Sequence, residues 1–98
     1  AQEEIFGPVL CIIPYGTIEQ AIDIANDTPY GLYGYVSGPP DDALTIAHHI
    51  RAGGISINGA ARMPSCPFGG CKQSGNGREW GVVGMEEFME IKAISMDL

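Results

Sequence analysis

Short apolar runs alternate with amphipathic segments along this 98-residue chain, and that alternation limits the folds open to it. The run Val9–Tyr15 is almost continuously apolar, as expected of a strand covered on both faces. Further strands are predicted over Tyr30–Val36, Ile55–Asn58 and Ile91–Met96, with helical patterns before and between them. Because strands that alternate with helices pair in parallel through crossovers, the sequence predicts an α/β fold: part of a doubly wound, mostly parallel sheet with flanking helices.

Caps and apolar residues at helical spacing predict three helices. The first begins with a capping box at Thr17–Gln20 and ends before Pro29. The second is expected to take an acidic N-cap from Asp41–Asp42 and to stop at Gly53–Gly54. The third spans Gly81–Glu90, with its apolar residues on one side. His48 and His49, near the end of the second helix, are interpreted as residues that suit the helix dipole.

The stretch Pro67–Glu79 contains four glycines together with Lys72 and Arg78. Such a backbone could expose several N–H groups to an anion, with the two cations as further donors. It could equally be an irregular connection between packed layers. The spacing fits neither a Walker loop nor the Gly-x-Gly-x-x-Gly turn, and no apolar strand runs directly into it, so the second interpretation is favoured.

Composition excludes several classes of partner. The net charge is −7 with only five basic residues, so neither nucleic acid nor an anionic membrane surface is an expected partner. The chain is short enough for one domain at most. Its first residues include no initiator methionine and no basic signal region, which predicts a piece of a longer chain, although a processed terminus would look the same.

The three cysteines, Cys11, Cys66 and Cys71, form no Cys-x-x-Cys pair. They are predicted to be reduced, mostly buried thiols of a cytoplasmic protein. A zinc site is not expected, because adjacent helical histidines point about 100° apart and other ligands are lacking.

Several motifs together resemble the C-terminal portion of an aldehyde dehydrogenase. Each is weak alone, but they follow one another at the family's spacing over nearly the whole chain. The matching motifs are Glu3–Val9, Ala21–Ile22, Ala25–Asp27, Tyr30–Leu32, Arg51–Asn58, Pro67–Gly70, Lys72–Glu79 and Glu90–Lys92.

The resemblance implies an NAD- or NADP-dependent oxidoreductase that converts an aldehyde to a carboxylic acid through a cysteine thioester. By the same match, Glu4 would hydrogen-bond the hydroxyls of the nicotinamide ribose, and Phe6 would pack near the nicotinamide ring. Phe68 and Cys66 would line the aldehyde tunnel. Cys66 and Cys71 stand where the family usually has apolar or aromatic residues, so Cys66 could affect which aldehydes fit. Tyr33 and Gly34 replace a common Ala-Ala pair.

The resemblance also implies how the chain is divided. Residues 1–90 would be the C-terminal part of the catalytic domain, and residues 91–98 an oligomerisation strand that joins a homo-oligomer. The residues of that strand expected to pair are Ile91, Ala93, Ile94 and Met96.

In the family, the cysteine nucleophile and the glutamate base lie upstream of Glu3. None of the three cysteines here matches the nucleophile's motif, so no catalytic residue is expected in this chain and the 98 residues alone are predicted to be inactive. The alternative is a non-catalytic truncated module that acts by associating with other subunits through its terminal strand.

Overall fold

The computed structural model describes residues 1–98 and shows an α/β chain with three short helices and four short strands. None of the helices is long and apolar enough to cross a membrane. In chain order the elements are α1 (Ile18–Asn26), β1 (Tyr30–Gly31), β2 (Tyr33–Val36), α2 (Pro40–His49), β3 (Gly54–Ile57), β4 (Cys71–Lys72) and α3 (Gly81–Glu86).

The predicted parallel pairing is present in the unit β2-α2-β3. The two strands lie side by side in parallel, with Tyr33 opposite Gly54 and Val36 opposite Ile57. The amide of Asn58 extends this ladder by donating to the Val36 carbonyl at 2.9 Å. Helix α2 connects the strands and packs against them, so this unit is the framework of the chain.

The strand predicted over Tyr30–Val36 is divided between two sheets. Tyr30 and Gly31 form β1, which pairs antiparallel with β4, while β2 pairs with β3. Gly31 pairs with Cys71 of β4, and its carbonyl also accepts a hydrogen bond from the Gly53 amide at 3.0 Å, just before β3 begins. Leu32, between the two short strands, belongs to neither of them. The prediction of a single strand over Tyr30–Val36 was therefore wrong.

Helix α1 begins and ends where its sequence predicts. Thr17 is the N-cap, and its hydroxyl oxygen accepts from the Gln20 amide at 3.1 Å. The Gln20 side chain reaches back, to the amide of Gly16 at 2.7 Å rather than to that of Thr17. The helix ends at Asn26, ahead of Pro29.

Helix α2 differs from its prediction at its first turn. Pro39 is the N-cap and makes no side-chain capping bond, and Pro40 is the first helical residue. Proline suits this position because its missing N–H would be unpaired there anyway. Asp41 and Asp42 lie inside the first turn, where their charges meet the helix dipole, instead of at the cap.

The end of α2 is set by a tertiary contact, not by a glycine. The helix stops at His49, and Gly54 is already the first residue of β3. The Asn26 side chain donates to the His49 carbonyl and accepts from the Arg51 amide, both at 2.8 Å. These two bonds satisfy the backbone carbonyl before Ile50 and the backbone amide after it. Ile50 itself has extended backbone dihedral angles. The expected stop at Gly53–Gly54 was therefore wrong.

Two segments predicted as strands, Val9–Tyr15 and Ile91–Met96, form none. A strand needs a hydrogen-bonded neighbour, and no part of the chain pairs with either segment. Their apolar side chains are exposed, among them Ile12 at 84% and Ile94 at 82%. Helix α3 is also shorter than predicted and ends at Glu86, because the next turn tightens into i→i−3 bonds such as Phe88 to Met85.

The buried core is small and consists of small residues. Five residues are buried, and Ala43 on α2 is the only one with an apolar side chain. The other four are Gly31, Ser56, Gly70 and Gly84. The apolar faces of α1 and α2 meet near it, around Ile22 and Ile46, and border a cavity of about 330 Å³. The chain thus packs around the parallel unit and leaves its two ends open.

Candidate functional site

A cavity of about 230 Å³ lies between the parallel strands and the loop 59–66. Strand β2 contributes Tyr33, β3 contributes its first three residues, and the loop and the following residues close the other side. Cys66 and Phe68, both predicted to line a substrate tunnel, border this same cavity. The structure therefore brings the two residues together on one wall.

Backbone pairing positions the Phe68 ring. Phe68 and Glu79 form an antiparallel bridge, with amide-to-carbonyl distances of 2.7 and 2.8 Å. The bridge places Trp80 next to Phe68, with 5.6 Å between ring centres, while the Tyr33 ring lies 6.1 Å from that of Phe68. Three aromatic rings thus form an apolar surface of the cavity.

The sequence departs from the family pattern at Tyr33, and the structure shows what this residue does. Its hydroxyl lies 2.9 Å from the Ser56 hydroxyl, and Ser56 is only 4% exposed. The parallel register sets Gly54 opposite Tyr33, and a Cβ at Gly54 would overlap the edge of the ring. The ring can therefore pass over Gly54 because this residue has no side chain.

Arg62 is the one charged residue among those that line the cavity. Its guanidinium carbon lies 5.1 Å from the centre of the Phe68 ring and 5.4 Å from that of Tyr33, within cation–π range of both. Sequence reasoning missed this residue. The available signal was a single basic residue just upstream of Phe68, in a chain with five basic residues in total.

The glycine-rich stretch proves to be a connection. Lys72 donates to the carbonyls of Asn26 and Thr28, each at 3.1 Å. Arg78 donates to carbonyls of its own loop, including Gly70 and Gly77. Both cations are thereby turned onto the chain's own backbone. These contacts agree with the favoured interpretation, an irregular connection, and the stretch contains the short strand β4. Anion binding by its backbone amides stays a prediction.

Glu4 and Phe6 lie away from the aromatic cavity. Glu4 borders a second cavity, of about 480 Å³, and Tyr33 lines both cavities. Phe6 is 93% exposed and has a φ of 50°, an unusual backbone conformation for a bulky residue. The structure leaves the Glu4 carboxylate and the Phe6 ring uncovered, and their roles towards a cofactor stay predictions.

The thiols differ from their prediction in burial. All three are free, but Cys11 and Cys66 are exposed and only Cys71 is half-buried. Cys11 lies in the unpaired segment Val9–Tyr15, and Cys66 lies at the edge of the aromatic cavity. The Cys71 sulfur is 3.5 Å from the carbonyl oxygens of Gly31 and Arg51. No His, Cys, Asp and Glu side chains gather into a group that could hold a metal ion.

Comparison with known proteins identifies a family. The model of the aldehyde dehydrogenase family matches residues 1–94. A 3-succinoylsemialdehyde-pyridine dehydrogenase from a Pseudomonas species is 61% identical over 95 residues, which are 96% of this chain and 20% of that protein. The chain therefore spans about a fifth of the length of the relatives it matches.

Solved structures of aldehyde dehydrogenases superpose closely on this chain. Aldehyde dehydrogenase C of Pseudomonas syringae, crystallised as a mutant with NAD+ and octanal, superposes with a TM-score of 0.92 at 53% identity. The match covers 99% of this chain and 21% of that one. A Mycobacterium tuberculosis aldehyde dehydrogenase in complex with NAD+ superposes with a TM-score of 0.85 at 55% identity. That match covers 89% of this chain and 18% of the other.

Proposed function

The chain belongs to the aldehyde dehydrogenase family, and from that premise we propose that it is the C-terminal segment of an NAD(P)-dependent enzyme oxidising an aldehyde to a carboxylic acid through a cysteine thioester. The observation that carries this proposal is the aromatic cavity beside Phe68 and Cys66. An apolar cavity with few polar groups is the usual form of a small-molecule site. In the whole protein it would be part of the aldehyde tunnel.

The residues of this segment would bind and orient the aldehyde and the cofactor. The rings of Tyr33, Phe68 and Trp80 would exclude water from the aldehyde, and Cys66 would limit its width. Because the chain holds no residue that matches the family nucleophile, the attacking thiolate and the base that activates water would come from the rest of the protein.

Glu4 and Phe6 would hold the nicotinamide end of the cofactor. The Glu4 carboxylate would accept hydrogen bonds from the ribose hydroxyls, and the exposed Phe6 ring would cover the nicotinamide. When bound, NAD or NADP supplies the hydride acceptor of the reaction. Relatives crystallised with NAD+ support NAD(P) as the cofactor of the whole protein.

The open segments fit a larger assembly. Residues 1–90 would belong to the catalytic domain, where Val9–Tyr15 would gain neighbours and complete a doubly wound sheet. Residues 91–98 would pair with a second subunit of a homo-oligomer, using the exposed Ile91, Ala93, Ile94 and Met96. We also propose a cytoplasmic location, since the spacing of the three cysteines in the sequence predicts reduced thiols. The exposed terminal segment also favours the second candidate, a non-catalytic module that associates with intact subunits.

One experiment tests the proposed function and the division of roles within it. The full-length protein and the 98-residue chain are each purified and assayed for NADH production from octanal, the aldehyde bound by the Pseudomonas syringae relative. The full-length protein is expected to turn over and the short chain to be inert. Turnover by the short chain that survives repurification would contradict the division of roles. A full-length protein inactive on a panel of aliphatic and aromatic aldehydes, with either NAD+ or NADP+, would contradict the proposed function.

A further inference from the structure

The aromatic cavity contains one cation and no anion. Arg62 lines it, and neither aspartate nor glutamate does. Two residues that line the cavity carry hydroxyl groups, Tyr33 and Ser56, and these hydroxyls are hydrogen-bonded to each other at 2.9 Å. Arg62 is therefore the strongest hydrogen-bond donor left for a ligand in this cavity.

Arg62 differs from the other basic residues of the loop region in how its charge is used. Lys72 and Arg78 donate to backbone carbonyls of the chain. The Arg62 guanidinium instead packs on ring faces, at 5.1 Å from the centre of Phe68 and 5.4 Å from that of Tyr33. Packing on a ring engages the plane of the guanidinium and leaves the N–H groups at its edge to bind another group.

This arrangement suits a carboxylate. The planar fork of a guanidinium matches the two oxygens of a carboxylate, and the two rings restrict the rotation of the Arg62 side chain before the ligand arrives. A neutral alkyl chain would cover the rings equally well but would leave the guanidinium without a partner. The cavity therefore combines an apolar wall for a short carbon chain with one site for a negative charge.

We propose that Arg62 binds a carboxylate at the far end of the substrate, so that the preferred substrates are short aldehydes carrying a second, anionic group. This inference rests on the proposed function, because it places the aldehyde in the cavity lined by Phe68. The reacting carbonyl would face the catalytic groups outside this chain, and the opposite end of the substrate would reach Arg62. The residue would determine specificity and take no part in the chemical step.

The test uses the full-length enzyme and a matched pair of substrates, succinate semialdehyde and its methyl ester. They share a carbon chain and differ in charge at the far end. The ratio of their kcat/KM values is measured in the wild type and in Arg62→Gln, which removes the charge but keeps hydrogen-bonding groups. Arg62→Lys keeps the charge and loses the fork, and Arg51→Gln removes a positive charge outside this cavity.

We expect the wild type to prefer the carboxylate. Arg62→Gln should lower kcat/KM for the carboxylate by about tenfold to 100-fold, as for loss of a charge-assisted hydrogen bond, and should leave the ester nearly unchanged. For Arg62→Lys, kcat/KM for the carboxylate should lie between the values for the wild type and Arg62→Gln. Arg51→Gln should keep the wild-type ratio of the two kcat/KM values. Oxidation of both substrates with a ratio that Arg62→Gln does not change would overturn this inference alone. Oxidation of neither these nor any other aldehyde would overturn the proposed function with it.

Discussion

Two asparagines connect segments that lie far apart in the sequence. The Asn58 side chain accepts from the Gly38 amide and donates to the Gly38 carbonyl, both at 2.9 Å. It thereby joins the end of β3 to the turn before α2. Asn26 makes the same kind of double contact with the backbone on either side of Ile50. A side-chain amide can do this because it carries a donor and an acceptor side by side.

Glu4 is the residue whose proposed role is easiest to isolate. In the full-length enzyme, Glu4→Gln keeps the shape of the side chain but removes its charge and one acceptor oxygen. We expect kcat to fall, or KM for the cofactor to rise, by about tenfold, the effect of losing a charge-assisted hydrogen bond. Because Glu4 is exposed, the melting temperature should hardly change. An unchanged rate with a lowered melting temperature would refute the ribose contact.

Gly53 shows where the backbone has no space for a side chain. A Cβ on Gly53 would overlap the Gly69 carbonyl group and lie 2.9 Å from the Gly70 Cα. In the full-length protein, Gly53→Ala should therefore lower the free energy of unfolding by about 1–3 kcal/mol or more. Gly38 has nothing within 4 Å of its Cβ position, so Gly38→Ala is the matched control. Equal thermal shifts for the two variants would show that the close approach is unimportant.

At the scale of elements, helix ends have different origins in this chain. The start of α1 depends on a contact within four residues, between Thr17 and Gln20. The end of α2 depends on Asn26, which is 23 residues from His49 in sequence. Local contacts form with little loss of chain entropy, whereas distant ones require the fold to be in place. For this reason the first boundary was predictable and the second was not.

Two threonines test the contribution of the α1 cap. Thr17→Ala should lower the free energy of unfolding by about 1 kcal/mol, because it leaves the Gln20 amide without its capping oxygen. Thr45, inside α2, donates to the Asp41 carbonyl one turn earlier. Thr45→Ala should be neutral or slightly stabilising, because alanine has the higher helix propensity. Chemical denaturation of the full-length variants measures both, and equal losses would contradict the capping role.

At the scale of the whole molecule, most apolar surface is uncovered. Only five residues are buried, while large side chains at both ends are open, including Leu10 at 83% and Ile91 at 104% exposure. A surface of this kind is typical of contacts with other protein. This exposure agrees with the proposal that the N-terminal segment packs within a catalytic domain and that the C-terminal segment pairs across subunits.

The proposed oligomerisation strand can be tested by placing a charge on it. In the full-length protein, Ile94→Asp should weaken subunit association at least about tenfold, because pairing would bury an unpaired carboxylate. Ile94→Val, which keeps an apolar, β-branched side chain, should assemble as the wild type does. Light scattering measures the assembly mass over a range of concentrations. Wild-type assembly of the aspartate variant would exclude this strand from the interface.

The sequence by itself determined the features that depend on neighbouring residues or on order along the chain. It predicted α1 with its cap, the parallel unit β2-α2-β3 and the family, because capping and helical spacing are local and the motifs follow one another in order. The resemblance to the family also implied that Phe68 and Cys66 line a substrate tunnel. Both border one cavity, and their role towards an aldehyde stays a prediction.

Only the tertiary structure decided the features that depend on distant contacts. It divided Tyr30–Val36 between two sheets, and it turned Lys72 towards Asn26, 46 residues away in sequence. It also set Arg62 on two rings that come from different parts of the chain. Sequence patterns describe periodicity within a segment, whereas these contacts depend on which segments become neighbours when the chain folds.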